Sequence, residues 1–326
     1  MKRYLPIAIG IVLFLLVFRL WKISLAETLD MLRKADWRLL LSALLAFVVM
    51  VYLKGVRWSY LLRMQGASYS VWNCFLIYMA TLYLGNLTPG RAGDFAKIFY
   101  LNQDLKFSTG TSMTSVLVDR VFDLYLLLIL GGMGILVYPM PADPASVRMV
   151  LTVKVFFGIL VALSLLAFNR RIGEVLLKAA FQRLLKQEHR DKTDKLFEDF
   201  HKGMAVFYSP ALLVPVFLSF VSYVFFFGGC YLIALSIGLP ISLFYLSFCV
   251  SVVNIVSLLT FLGMGTREAA LIFLFALISF TKEQAMTYSL LLLFVGVIVF
   301  SLLGLFCFLL KPIPLSNLFN TAKKAT

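Results

Sequence analysis

The chain has 326 residues, of which 61% are hydrophobic and 14% charged, with a mean hydropathy of +0.94 and a formal net charge of +14. An average soluble domain carries roughly 25% charged residues, so this composition excludes a water-soluble globular protein and describes a polytopic membrane protein. The basic residues punctuate apolar runs instead of clustering on one soluble face, which argues against nucleic acid as a partner and leaves topology signalling and attraction to anionic headgroups.

Taken in chain order, apolar runs long enough for about 20 helical residues begin near Tyr4, Trp37, Ser115, Met149 and Pro210, and a last one extends from about Gln284 to Leu310. Lys2 and Arg3 ahead of the run Leu5 to Phe18 resemble a signal peptide with Ser24-Leu25-Ala26 as a cleavage site, but the border of Arg19, Trp21 and Lys22 suits a retained anchor. Between residues 22 and 36, Ile23, Leu25, Ala26, Leu29 and Leu32 alternate with charges, the pattern of a helix lying in the membrane interface. Two further stretches, Val71 to Leu101 and Leu243 to Phe280, are each interrupted by glycine-rich polar sequence and read as broken, re-entrant helix pairs. The expected fold is therefore an all-α polytopic membrane protein of six full transmembrane helices plus two broken pairs. Residues 1–316 form one transmembrane domain, interrupted by an amphipathic connector at 170–205, and 317–326 form a short tail.

The connector holds nine lysines and arginines and is expected to be cytoplasmic, while the nearly uncharged loop from Pro139 to Pro144 is expected outside. Working outward from these, both termini, Lys54, Arg57 and Arg63 fall on the cytoplasmic side of the cytoplasmic membrane; Arg19, Lys22, Arg33, Lys34 and Arg38 fall outside, against the rule. Trp21, Trp37, Trp58 and Trp72 stand at the ends of apolar runs and read as interfacial anchors. Lys54 and Arg57 read as snorkelling to lipid phosphates, with Arg57 deep enough to guard a polar cavity.

Chemistry concentrates at the two interruptions. Asn86-Leu87-Thr88-Pro89-Gly90-Arg91-Ala92-Gly93-Asp94 puts a turn and two charges at membrane depth, where non-helical backbone and bare charge survive only in a protein interior or a polar cavity. Pro89 and Gly90 stop a helix, Gly93 permits close approach, and the next half-helix starts with free amide donors suited to phosphate. Arg91 is placed either to clamp a phosphate, with Asp94 on an arginine or a headgroup amine, or to pair with Asp94 structurally. The second turn, Gly263-Met264-Gly265-Thr266-Arg267-Glu268, repeats the combination; being adjacent on a helix, Arg267 and Glu268 are expected to find separate partners, with Asn254 lining the same region. Leu87, Thr88 and Gly93 recur as Leu259, Thr260 and Gly265 at an offset of 172 residues, the pattern of an internal repeat, inverted if one half opens inward and the other outward. Asp119, Arg120 and Asp123 begin a span, and the two carboxylates at i, i+4 require a cation between them, for which Arg91, Arg120 and Arg267 are available, or else form an interfacial cluster suited to a helix start.

Cys74, Cys230, Cys249 and Cys307 lie in apolar segments without close pairing, His189 and His201 lie in the polar connector, and there is no phosphate-binding loop of the nucleotide-hydrolase type. No metal and no cofactor is expected.

Residues Leu53 to Leu62 (LKGVRWSYLL), Gly85 to Asp94 (GNLTPGRAGD), Ser115 to Asp123 (SVLVDRVFD) and Gly263 to Ala269 (GMGTREA) resemble, in order, the signatures of the lysylphosphatidylglycerol synthase transmembrane region, a flippase-like family. The chain resembles stand-alone members without the soluble synthase domain. Thr260-Phe261-Leu262 departs from the pattern where relatives often place a proline. The resemblance implies a protein, not itself an enzyme, that moves a lipid between leaflets: an anionic or aminoacylated phospholipid, or another phosphate-bearing lipid such as an isoprenoid phosphate. Two other readings stand beside it. One is a lipid-modifying transferase using Asp94, Asp119 or Glu268 as general base; the other is a membrane partner of a lipid synthase or glycosyltransferase. A second copy of the chain is a further expected partner.

Overall fold

The computed structural model describes residues 5–137, 210–257 and 260–312, together with scattered helical positions between 147 and 162. The Pro139 to Pro144 loop, most of the run beginning near Met149, the connector 170–205 with its two histidines, and the tail 317–326 lie outside the described residues. Among those described, every regular element is helical.

The elements are α1 (Leu5–Leu20), α2 (Leu25–Lys34), α3 (Trp37–Met64), α4 (Val71–Asn86), a 3-10 helical turn (Pro89–Ala96), α5 (Lys97–Asp104), α6 (Thr109–Val137), α7 (Leu213–Ser236), α8 (Leu243–Val256), a second 3-10 turn (Phe261–Gly263), α9 (Thr266–Ala276), α10 (Lys282–Leu293) and α11 (Phe300–Leu310). A π-helical turn, Phe294–Val299, joins α10 to α11 into one continuous helix. Their boundaries follow local chemistry. Asp36 accepts the Arg38 N–H at 2.8 Å to start α3, and Ser24 and Ser242 cap α2 and α8 through the amides of Glu27 and Tyr245. Thr281 and Gln284 satisfy each other's amides ahead of α10, a reciprocal cap.

Three helices among the described residues are long and apolar enough to cross a bilayer: Trp37–Met64, Leu213–Ser236 and the continuous Lys282–Leu310. Of the six full spans expected, these three are met among the described residues. The first run folds as the 16-residue α1, about 24 Å long against a hydrocarbon core of about 30 Å. The run beginning near Ser115 is the interior of the 29-residue α6, which carries three charges. Both interrupted stretches break as expected, into α4 with the first turn and α5, and into α8 with the second turn and α9.

The surface is apolar and the interior is polar in places, the reverse of a soluble domain. On the last helix Leu302, Phe306 and Leu309 are exposed at helical spacing, while Gly304 turns inward so that a Cβ there would lie 2.6 Å from the Met79 carbonyl oxygen of α4. α3 packs along α7, α4 along α11 and α6 along α8, and α2 lies against α10. Gly229 brings α7 onto α3: a Cβ would meet the Phe47 ring at 2.6 Å. The two 3-10 turns touch each other, and α1 covers the second.

Candidate functional site

The first turn is built around Thr88. Its hydroxyl donates back to the carbonyls of Leu84 and Gly85, at 3.0 and 3.1 Å, and accepts the Gly93 N–H at 2.7 Å. That folds the turn onto the end of α4 so closely that a Cβ on Gly93 would overlap the Leu84 carbonyl. Glycine is required there by proximity. Arg91, at the tip, takes a left-handed backbone with φ of 56°, a conformation costing a non-glycine residue about 1–2 kcal/mol. Its guanidinium reaches Asn86 Oδ1 at 3.4 Å, and Asn86 in turn donates to Ser301 of α11 at 2.8 Å.

Beneath this turn lies a buried ionic network. Lys54 and Arg57, three residues apart on α3, share one face, and so do Asp119 and Asp123 on α6. Arg57 donates to Asp119 Oδ1 through Nε at 3.1 Å and Nη2 at 2.6 Å, and through Nη2 to Asp123 Oδ1 at 2.9 Å. Its Nη1 reaches Ser219 of α7 at 2.8 Å. Lys97 Nζ and the Tyr78 hydroxyl both donate to Asp119 Oδ2, at 2.8 and 2.6 Å. Lys54 pairs with Asp123 Oδ2 at 2.9 Å and lies 4.8 Å from the centre of the Tyr223 ring. Asp119 thus has both oxygens engaged by donors. Breaking such a buried pair from one side typically costs about 3–5 kcal/mol.

Asp94 extends the network. Its Oδ2 sits 2.9 Å from Arg120 Nη2, but neither group makes an aligned hydrogen bond there, and Asp94 Oδ1 and Arg120 Nε have no hydrogen-bond partner among the described residues. The contact is electrostatic rather than directed. Gly85 makes room for this carboxylate, since a Cβ there would overlap Asp94 Oδ1. Arg91 stands three residues before Asp94 in the same 3-10 turn. Side-chain exposure rises from zero at Arg57, Asp119 and Lys97 to 13% at Asp123 and 24% at Arg120, so the network opens toward Arg120 and Arg91. Four buried or half-buried cations, Lys54, Arg57, Lys97 and Arg120, face three carboxylates, Asp94, Asp119 and Asp123. Among the described residues Arg91 has no carboxylate within ion-pair distance, and it adds to that excess.

The second turn is differently built. Leu262, Gly263 and Gly265 all have positive φ, of 54°, 72° and 81°. The Thr260 and Thr266 hydroxyls meet at 2.8 Å. Glu268 Oε2 accepts the Gly265 N–H at 2.6 Å at the start of α9, while Glu268 Oε1 takes Arg267 through Nε at 3.1 Å and Nη2 at 2.5 Å, and the Ser289 hydroxyl at 2.9 Å. This is a closed structural lock. The offset of 172 residues seen in the sequence also pairs Arg91 with Gly263, and both are left-handed.

A third cluster ties the first broken hairpin to the end of α11. Lys311 Nζ lies 2.5 Å from both Asp104 Oδ2 and the Tyr69 hydroxyl, which itself donates to Asp104. Burial, then the hydrogen bond to Asp104, holds the Tyr69 phenol well above its usual pKa, so it remains a donor.

Several expectations are corrected. Lys54 and Arg57 do not snorkel: a carboxylate pair inside the bundle outcompetes the membrane surface, whereas Arg63 is exposed as expected. Asp119 and Asp123 are neutralised by Arg57, Lys54 and Lys97, not by Arg91 or Arg267. Asp94 pairs with Arg120 instead of Arg91. Arg267 and Glu268 are each other's partners, because the Glu268 side chain turns back to cap its helix and leaves an oxygen for the neighbouring guanidinium. Trp58 is wholly buried and donates to Ser115 at 2.9 Å, while Trp21, Trp37 and Trp72 are exposed. The Asn254 amide returns to the Val250 carbonyl of its own helix at 2.8 Å. Pro89 and Gly90 lie in the first turn as expected. Lys97, Tyr78, Ser219 and Tyr223 were not singled out by the sequence; the signal for Lys97 was its position three residues after Asp94 in the same interrupted stretch.

The chain is similar to two UPF0104 membrane proteins of archaea. One, from Methanocaldococcus jannaschii, is 24% identical over 279 residues, covering 80% of this chain and 82% of that protein. The other, from Pyrococcus horikoshii, is 29% identical over 126 residues, covering 38% of this chain and only 37% of its relative's length. No solved structure matches. The model of the lysylphosphatidylglycerol synthase TM region matches residues 5–304, and with the signatures that form the buried network inside that range, the chain belongs to this family.

Proposed function

We propose that this multi-pass membrane protein carries a phosphate-bearing lipid between the leaflets of the cytoplasmic membrane, with both termini on the cytoplasmic side and the two broken hairpins acting as facing halves of an inverted repeat. The observation that carries the reading is the cation excess: four cations against three carboxylates in the network, with Arg91 added at its open side. A headgroup crossing hydrocarbon alone loses its hydration, and fixed charges at depth replace it while acyl chains stay in the bilayer. Arg91 and Arg120 would meet the phosphate first, and the Arg57, Lys97 and Asp119 core supplies the field behind them. Arg267 and Glu268 play no direct part and hold the second turn in shape. Lipid context comes from family membership.

The reading makes the chain a carrier rather than a transferase. Of the three candidates for a general base, Asp119 and Glu268 are committed to cationic or amide donors, and Asp94 lies 2.9 Å from the Arg120 guanidinium. The test is reconstitution of the full chain in vesicles containing a fluorescent phosphatidylglycerol, with a membrane-impermeant reductant bleaching the outer leaflet. Accelerated loss of the protected inner-leaflet signal is expected. A rate equal to protein-free vesicles for every phosphate-bearing lipid tried would remove the proposal.

A further inference from the structure

The way charges are committed around the network narrows the class of headgroup, on the reading that this site carries a phosphate-bearing lipid. Among the described residues every carboxylate near it lies against a cation. Asp119 holds Arg57, Lys97 and the Tyr78 hydroxyl; Asp123 holds Lys54 and Arg57; Asp94 faces Arg120 through Oδ2, while its Oδ1, without a hydrogen-bond partner among the described residues, is buried against Gly85. The second turn offers none, because Glu268 is closed by Gly265, Arg267 and Ser289.

The aromatic faces are occupied as well. An ammonium or guanidinium is commonly received over an aromatic ring within about 6 Å. Here Lys97 already covers the rings of Tyr78 at 3.2 Å and Trp58 at 5.0 Å, Lys54 covers Tyr223 at 4.8 Å, and Arg57 lies 5.7 Å from Phe122. At these four rings the protein's own cations fill the places where a ligand cation would sit. At the open side stand Arg120 and Arg91, both positive.

We infer that the site takes a phosphate whose remaining substituents are uncharged and discriminates against a phosphate lipid bearing a cationic amine, so that an aminoacylated phospholipid is a poor cargo for this chain. The phosphate meets the guanidinium of Arg91; the amine meets like charge, and each carboxylate of the network already has a cation of its own.

The experiment compares four fluorescent lipids in vesicles holding the full chain: phosphatidic acid, phosphatidylglycerol, phosphatidylethanolamine and lysylphosphatidylglycerol at equal mole fraction. The first two are expected to cross at least about tenfold faster than lysylphosphatidylglycerol, with phosphatidylethanolamine also slow. Lysylphosphatidylglycerol crossing as fast as phosphatidylglycerol overturns the inference while leaving the carrier reading intact; no lipid crossing faster than in protein-free vesicles overturns both. A variant tests the cause. Ala92 is exposed beside Arg91, and Ala92→Asp, which supplies the missing free carboxylate, should reduce the ratio between the two lipids about tenfold. An unchanged ratio in a folded Ala92→Asp protein removes charge at the turn as the selector.

Discussion

Lys97 Nζ lies 3.2 Å from the centre of the Tyr78 ring and 2.8 Å from Asp119 Oδ2. One lysine thereby joins the two arms of the broken hairpin to each other and to α6. Because Asp119 keeps Arg57 and the Tyr78 hydroxyl when Lys97 is removed, Lys97→Met should change stability by no more than about 1–2 kcal/mol. It should nevertheless slow lipid exchange at least about tenfold. Thermal unfolding in detergent beside the vesicle assay checks the split; a matched loss of folding and exchange would assign Lys97 to structure alone.

Asp119→Asn is the opposite case. It keeps the shape and removes the charge that holds Arg57 and Lys97, so about 3–5 kcal/mol of stability should go. Combined with Arg57→Met the loss should be smaller than the sum of the single variants, which a double-mutant cycle in detergent would measure.

Gly93→Ala should disrupt the first broken hairpin, because the new methyl overlaps the Leu84 carbonyl; overpacking of this kind costs about 1–3 kcal/mol or more. Gly228→Ala, where nothing lies within 4 Å of the added methyl, should be neutral or stabilising by up to about 1 kcal/mol. Midpoints of thermal unfolding for the two variants give the contrast directly.

Glu268→Gln should loosen the second turn without a specific effect on headgroup choice. It weakens the cap on Gly265 and leaves the buried Arg267 guanidinium without a carboxylate, at about 3–5 kcal/mol. Faster amide exchange in α9, with the ranking of lipids unchanged, is the expected result.

The sequence showed where the chain breaks more clearly than what faces what. Thr88, Pro89 and Gly90 announce a turn through local backbone chemistry, and the turn is there. The partners of Asp119 were not legible, since Arg57 and Lys97 are 62 and 22 residues away and pairing at that range depends on how helices pack. Trp58 and Lys54 were misjudged for the same reason. An aromatic or basic residue near a helix end suits the headgroup layer, and only the approach of α4 and α6 turns both inward. The repeat was visible as three identities, but not the pairing of Arg91 with Gly263, because backbone handedness is not written in side-chain type.

Arg91 occupies a backbone conformation that glycine adopts at almost no cost. Any selection for heat resistance alone would therefore favour glycine at this position, and would erase the one guanidinium in the turn that has no acid of its own among the described residues. On the proposed reading, a more robust protein obtained by that route would carry lipid poorly, and heat tolerance among engineered versions of this chain would be a poor guide to transport.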